Sequence, residues 1–134
     1  MRSEPVALSE GDQIELRVTP DRYVTVRYSG ASGDFNPIHI DEQFAQQVGL
    51  PGRILHGLWS MAQVARAATD AAGGDPFALR SLSVQFRGMG RMEQEIIVSG
   101  EVKSVADGVA TAKLEARQGD ARLIRNGVAE LRAN

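Results

Sequence analysis

Residues 56–72 read HGLWSMAQVARAATDAA, and this stretch decides the fold that we predict. Small and apolar residues recur in it at spacings of three and four, which is typical of one face of an α-helix. Because alanine side chains are small, that face can approach a neighbouring layer closely. Gly73 and Gly74 follow the stretch and end the predicted helix. The predicted buried face comprises Leu58, Met61, Ala62, Ala65, Ala68 and Ala72.

The segments on either side of this helix alternate between apolar and polar residues, as half-buried β-strands do. Asp107-Gly108 is a strong hairpin signal between two of these segments. One long helix among five strands predicts a single α+β domain over residues 1–134, with a curved antiparallel sheet wrapped around the helix. The predicted strands lie at residues 12–19, 82–86, 96–102, 110–116 and 123–132.

Composition excludes several function classes. The 134 residues are 43% hydrophobic and 24% charged, as in a globular domain, and the net charge of −2 argues against a nucleic-acid-binding module. The absence of cysteine excludes disulfides, thiol nucleophiles and thiolate metal sites. With only two histidines, we predict no metal site. Without a signal-peptide core or a membrane-length apolar run, we expect a cytoplasmic protein that does not bind a membrane.

Two shorter segments precede the long helix. Residues 21–29 give conflicting signals, because their β-branched and aromatic residues favour a strand whereas Thr19-Pro20-Asp21 is typical of a helix start. Asp21 would then be the N-cap. Asp41 is the expected N-cap of a second short helix that runs to about Val48.

Residues 28–40 read YSGASGDFNPIHI and carry the candidate chemistry. Asp34, Asn36 and His39 lie within six residues of one another, and Pro37 restricts the backbone between them. A carboxylate and an imidazole are suited to proton transfer. The same residue types also form ordinary turns, and a histidine can belong to a core, so spacing alone leaves both interpretations open.

Gly57 is the second candidate feature, because it stands in the first turn of the long helix. Backbone N–H groups are unpaired there and carry positive partial charge. A glycine lets a ligand oxygen approach the backbone closely, which is how an oxyanion hole for a thioester carbonyl can form. Close helix packing is the alternative explanation.

Together, S-G-D-x-N-P-x-H at residues 32–39 and H-G at residues 56–57 resemble the hydratase-2 motif of the MaoC-like (R)-specific enoyl-CoA hydratases and the related (3R)-hydroxyacyl-ACP dehydratases. The resemblance implies a hotdog fold and a short helix at residues 21–29. It implies reversible hydration of trans-2-enoyl thioesters to (3R)-hydroxyacyl thioesters. Coenzyme A or phosphopantetheine would be part of the substrate, and no separate cofactor is implied.

The same resemblance implies roles for the motif residues. Asp34 would be the acid and base at C2 of the acyl chain. His39 would share the water that adds to C3 or leaves from it, and the Gly57 N–H would polarise the thioester carbonyl. Asn36 and Ser32 would orient the site.

The resemblance also implies partners and leaves alternatives. The substrate would be an acyl-CoA or an acyl carrier protein thioester, and two copies would form a homodimer with the sites near the interface. A heterodimer with another hotdog chain is an alternative. So is a non-catalytic or partner-dependent subunit that only binds acyl thioesters. A hotdog thioesterase is disfavoured, because the predicted core face of the long helix carries no carboxylate.

Residues 76–92 contain three arginines and no acidic residue. Such a segment attracts phosphate, which both coenzyme A and a phosphopantetheinyl carrier protein bear. A solvated strand face is the alternative explanation. The candidate phosphate-binding residues are Arg80, Arg87 and Arg91.

Overall fold

The computed structural model describes residues 7–133. The strands are β1 (Gln13–Val18), β2 (Leu79–Phe86), β3 (Ile96–Ala106), β4 (Val109–Gln118) and β5 (Ala121–Arg132). The α-helices are α1 (Val24–Ser32), α2 (Glu42–Gln47) and α3 (Gly57–Ala71), and single 3-10 turns lie at Pro37–His39 and Pro76–Ala78. All strand pairs are antiparallel, and the order across the sheet is β1-β3-β4-β5-β2.

Helix α3 packs against all five strands, so the predicted α+β hotdog architecture is confirmed. The core lies between the helix and alternate residues of the central strands, which is the arrangement that a period of two in each strand predicts. In this part of the chain no helix has both the length and the apolar character needed to cross a membrane. The central-strand residues with no exposed surface are Ile96, Val98, Val102, Ala110, Ala112, Ala116, Ile124, Ala129 and Leu131.

The predicted buried face of α3 is wrong in part. Ala68 and Ala72 are buried, but Leu58 is 61% exposed and Ala62 is exposed too, while Met61 and Ala65 are only half-buried. Alanine occurs on every side of this helix, so its spacing cannot identify the side that faces the sheet. Two polar side chains lie on the buried face and obscure it further. Its buried residues are Ser60, Gln63, Val64, Ala67 and Ala68.

The segment with conflicting signals forms helix α1, as the family resemblance implies. Its buried Thr25 and Ser29 show that packing outweighs the β-propensity of the segment. The predicted N-cap is wrong, because Tyr23 is the N-cap and Asp21 lies before it, where Asp21 Oδ1 accepts a hydrogen bond from the Tyr23 N–H (2.8 Å).

Two other local predictions are confirmed. Asp41 caps α2, and its Oδ1 accepts from the Phe44 N–H at 3.1 Å. Asp107 and Gly108 join β3 to β4 with φ of 55° and 76°, the left-handed region that such two-residue hairpins require.

Candidate active site

The loop that follows α1 is held by its own side chains. Ser32 Oγ donates to the Tyr28 carbonyl (2.7 Å) and accepts from the Asp34 N–H (3.1 Å). Asp34 Oδ1 accepts from the Asn36 N–H, and Asn36 Oδ1 accepts from the Ile38 N–H, both at 3.2 Å. These short-range bonds restrict the loop, which is the geometry expected of Ser32 and Asn36 if they orient a site.

His39 is buried, with 7% of its surface exposed, and it lies close to Asp34. Its Nδ1 is 2.8 Å from the Ile54 carbonyl oxygen. A carbonyl can only accept, so Nδ1 carries a proton, and Nε2 is the nitrogen that accepts when the ring carries one proton. Nε2 lies 3.8 Å from Asp34 Oδ2. That separation is too long for a direct hydrogen bond but allows one water oxygen to contact both groups.

His56 lies directly against His39. The two rings are stacked with centroids 3.8 Å apart and planes 18° apart. His56 Nε2 is 3.1 Å from the Asp34 carbonyl oxygen, to which it donates, and 3.2 Å from Ser29 Oγ. Its Nδ1 has no hydrogen-bond partner among residues 7–133. Burial lowers the pKa of His56, so the ring is neutral at pH 7 and holds the Asp34 backbone as a hydrogen-bond donor.

Asp34 and Gly57 line one pocket of about 300 Å³. The Gly57 N–H begins helix α3, and no group in the described part of the chain accepts from it. A Cβ on Gly57 would come within 3.2 Å of the Phe86 ring, so a side chain there would crowd the pocket. The acid/base loop and the N-terminus of α3 thus line the same cavity. The lining residues are Tyr28, Ser32, Asp34, His56, Gly57, Leu58 and Phe86.

Sequence reasoning missed several residues of this pocket. Tyr28 lies edge-on to the His56 ring, with centroids 4.8 Å apart. Phe86 continues the apolar alternation of β2, yet it is 51% exposed and lines the pocket instead of the core. The H-G pair pointed to Gly57, but the stacking of His56 on His39 depends on packing between segments that are remote in sequence.

The ligand atoms of Asp34, His39 and His56 lie within 4.8 Å of one another. The donor set does not suit a metal ion, because the two rings are nearly parallel and their nitrogen lone pairs do not converge. In addition, His56 Nε2 carries the proton that it donates to the Asp34 carbonyl. The arrangement suits proton transfer through water.

The three candidate phosphate-binding arginines do not line one cleft. Arg80 and Arg87 are seven residues apart along extended chain, or about 23 Å. Arg91 lines a cleft with Arg53 and Glu42, while Arg87 lines a different cleft. The extended strand β2 separates Arg80 from the other two arginines.

The chain resembles known proteins in sequence. The MaoC like domain family matches residues 7–122. A fatty acid synthase subunit beta of Aspergillus oryzae is 36% identical over 107 residues, which are 78% of this chain and 5% of that protein. The peroxisomal enoyl-CoA hydratase 2 of Arabidopsis thaliana is 37% identical over 73 residues, which are 54% of this chain and 23% of that protein. The chain therefore spans a minor part of these curated relatives.

Solved structures share the fold. The R-hydratase PhaJ1 of Pseudomonas aeruginosa superposes with a TM-score of 0.83 at 20% identity, over 97% of this chain and 88% of that chain. A chain of the ChsH1-ChsH2 complex of Mycobacterium tuberculosis gives 0.82 at 24% identity, over 94% and 98%. Since the family match extends over residues 7–122, the chain belongs to the MaoC-like domain family.

Proposed function

We propose that this chain catalyses the reversible hydration of trans-2-enoyl thioesters to (3R)-hydroxyacyl thioesters, carried by coenzyme A or acyl carrier protein. The observation that carries the proposal is the 3.8 Å separation between Asp34 Oδ2 and His39 Nε2 beside the pocket that Gly57 lines. Membership of the MaoC-like family supports it, as does the similarity to an enoyl-CoA hydratase 2.

The proposed reaction uses one water molecule held between Asp34 and His39. In the hydration direction the water oxygen forms a bond to C3, with Nε2 of His39 accepting a hydrogen bond from the water. The proton that the water loses passes to the Asp34 carboxylate, and Asp34 delivers a proton to C2. Both residues end the cycle in their starting protonation states, and dehydration follows the same path in reverse.

Negative charge develops on the thioester oxygen when the electron pair of the C2–C3 double bond moves toward the carbonyl. We assign the stabilisation of that charge to the Gly57 N–H and the positive end of α3. Every step is an addition or a proton transfer, so the reaction calls for no redox cofactor or metal. Coenzyme A or phosphopantetheine arrives as part of the substrate.

Three further residues act as positioning residues in this proposal. Ser32 and Asn36 hold the loop backbone on either side of Asp34. His56 donates to the Asp34 carbonyl and supports the ring of His39 from its face. None of these groups exchanges a proton with the substrate.

The proposed assembly is a homodimer joined through β2. This strand is an open edge of the sheet. Phe77, which precedes it, is 85% exposed, and Phe86, its last residue, is half-exposed. The opposite edge, β1, presents Arg17 paired with Glu15, and charges of this kind discourage strand pairing. Pairing through β2 would cover exposed apolar side chains at both ends of the strand. A cytoplasmic location is part of the same proposal.

The activity test mixes the purified protein with crotonyl-CoA and follows the loss of enoyl absorbance, then determines the configuration of the product. We expect the (3R)-hydroxy product. His39→Asn is the matched control: its side-chain amide can still donate to the Ile54 carbonyl but lacks Nε2, so it should lose about 100-fold in kcat. Crotonyl-CoA binding without hydration by a folded wild-type protein would contradict the proposal and favour an acyl-thioester-binding subunit.

Sedimentation of the wild-type protein tests the assembly, and we expect twice the chain mass. Phe77→Glu should weaken the dimer, because this exposed ring precedes the pairing edge. A monomeric wild-type protein would contradict the homodimer. A stable complex with a second hotdog chain would replace it with the heterodimer.

A further inference from the structure

Four arginines line a single cleft of about 430 Å³ at one end of the sheet. Strand order brings them together, because β5 lies between β4 and β2. We call this site the arginine cleft, and Asp120 is its fifth lining residue. The arginines are Arg87, Arg117, Arg122 and Arg125.

The arginine cleft places like charges against each other. Arg117 and Arg122 are directly opposite partners across β4 and β5, an arrangement that destabilises a sheet. Glu115 lies 3.7 Å from the Arg117 guanidinium and 3.8 Å from that of Arg122, so one carboxylate is shared between two cations. This arrangement leaves positive charge for an added anion to neutralise.

The other two arginines have no carboxylate partner in the described part of the chain. Arg125 Nε donates to the neutral Gln85 side chain at 3.0 Å. Arg87 is fixed through its backbone, whose N–H donates to the Leu123 carbonyl at 2.9 Å. Counting Glu115 and Asp120 against four arginines leaves an excess of two positive charges, on a chain whose net charge is −2. The arginine cleft is therefore a local anion-attracting site.

The arginine cleft and the catalytic pocket have lining residues that are adjacent in sequence. Phe86 lines the pocket and Arg87 lines the cleft. Arg87 directly follows the last residue of β2, and its N–H donates to the Leu123 carbonyl of β5. An extended molecule that leaves the pocket can reach the cleft past the C-terminal end of β2, beyond its last paired residue Phe86, so this route does not use the strand edge that the proposed dimer covers.

We propose that the arginine cleft binds the 3′-phosphate and diphosphate of the coenzyme A part of the substrate. The inference rests on the proposed function, which puts the thioester in the pocket and its long pantetheine arm outside. Arginine is suited to phosphate because its planar guanidinium donates two parallel hydrogen bonds. The three phosphates of coenzyme A match four arginines better than the single phosphate of a carrier-bound phosphopantetheine does.

The test compares KM for three thioesters of the same acyl group: crotonyl-CoA, crotonyl-phosphopantetheine and crotonyl-pantetheine. Arg87→Gln and Arg122→Gln each remove one cleft cation. We expect each to raise KM for crotonyl-CoA about tenfold and to leave kcat unchanged, the loss expected for one charge-assisted contact. KM for crotonyl-pantetheine should not change. Arg17→Gln is the matched control on the opposite edge strand and should change none of these values.

Several results would overturn the assignment. An unchanged KM for crotonyl-CoA would exclude the arginine cleft, and an equal rise for crotonyl-pantetheine would show a general structural effect. An equal rise for crotonyl-phosphopantetheine and crotonyl-CoA would limit the contact to the arm's own phosphate.

Direct titration with coenzyme A separates this inference from the proposed function. Without turnover of any thioester, the proposed function fails, yet tenfold weaker coenzyme A binding by Arg87→Gln still supports the arginine cleft. Equal coenzyme A affinity in wild type and variant would contradict it.

Discussion

The two walls of the catalytic pocket differ in the groups that they present to a substrate. The loop wall, residues 32–39, presents side-chain oxygen and nitrogen atoms that local hydrogen bonds hold in place. The helix wall, at Gly57 and Phe86, presents a backbone N–H beside an aromatic ring. On the loop wall the proposed reaction needs the carboxylate of Asp34. On the helix wall the absence of a side chain at Gly57 keeps the pocket open. Substitutions on the two walls should therefore lower activity for different reasons.

The largest effect should come from Asp34→Asn on the loop wall. Asparagine keeps an oxygen that can accept from the Asn36 N–H, and the side chain is 52% exposed, so the fold should persist. The amide cannot exchange the proton at C2, so kcat should fall about 10³-fold. Enoyl absorbance measures the rate, and an unchanged melting temperature shows that the loss is chemical. Retention of more than a tenth of the activity would remove Asp34 from the proton path.

A smaller effect should follow from Gly57→Ala on the helix wall. The added Cβ would come within 3.2 Å of the Phe86 ring and force that ring into the pocket or toward solvent. Alanine also favours the helical backbone, so we expect stability to hold while kcat/KM falls about tenfold.

A double-mutant cycle with Phe86→Ala identifies the cause of that loss. If the ring transmits the effect, adding Gly57→Ala to Phe86→Ala should cost much less than tenfold. Equal costs in both backgrounds would show that the ring is not the cause.

The smallest effect on rate should come from His56→Gln, which lies where the two walls meet. Glutamine can keep the donor to the Asp34 carbonyl but loses the ring stacked on His39, so we expect only a several-fold decrease in kcat. The stronger signature is the pH dependence of stability. Burial lowers the pKa of His56 in the folded state, so the unfolded chain binds the proton first when the pH falls.

The free energy of unfolding should therefore decrease as pH falls below the ordinary histidine pKa of 6.5, and level off only below the folded-state pKa. The contribution of one such group is at most about 1.4 kcal/mol per pH unit. Urea unfolding of wild type and His56→Gln between neutral and mildly acidic pH measures it. The variant should show the shallower dependence, and parallel curves would mean that His56 is not the group responsible.

The sequence predicted the elements whose signals are local. Alternation located the strands, and the left-handed turn residues at Asp107-Gly108 located a hairpin. The proximity of Asp34 and His39 follows from a short loop with restricted backbone. These features depend on neighbours within a few residues, which is why pattern and spacing were sufficient.

The features that escaped prediction depend on contacts between remote segments. Because alanine occurs on every side of α3, the sequence does not determine which face packs against the sheet. The stacking of His56 on His39 and the turn of Phe86 into the pocket follow from packing between elements. The arginine cleft exists because β5 pairs with both β2 and β4, and no spacing in the sequence encodes that order.

Both histidines of the site take their orientation from carbonyl groups of the main chain, at Ile54 for His39 and at Asp34 for His56. A carbonyl is present whatever residue occupies the position, so point mutation at residue 54 cannot delete the acceptor. The path of the main chain therefore determines which ring nitrogen donates a proton in each histidine. Position 54 is constrained by the fit of its buried side chain and by its N–H, which donates to the Ile38 carbonyl at 3.1 Å, but the acceptor for His39 does not depend on which side chain stands there.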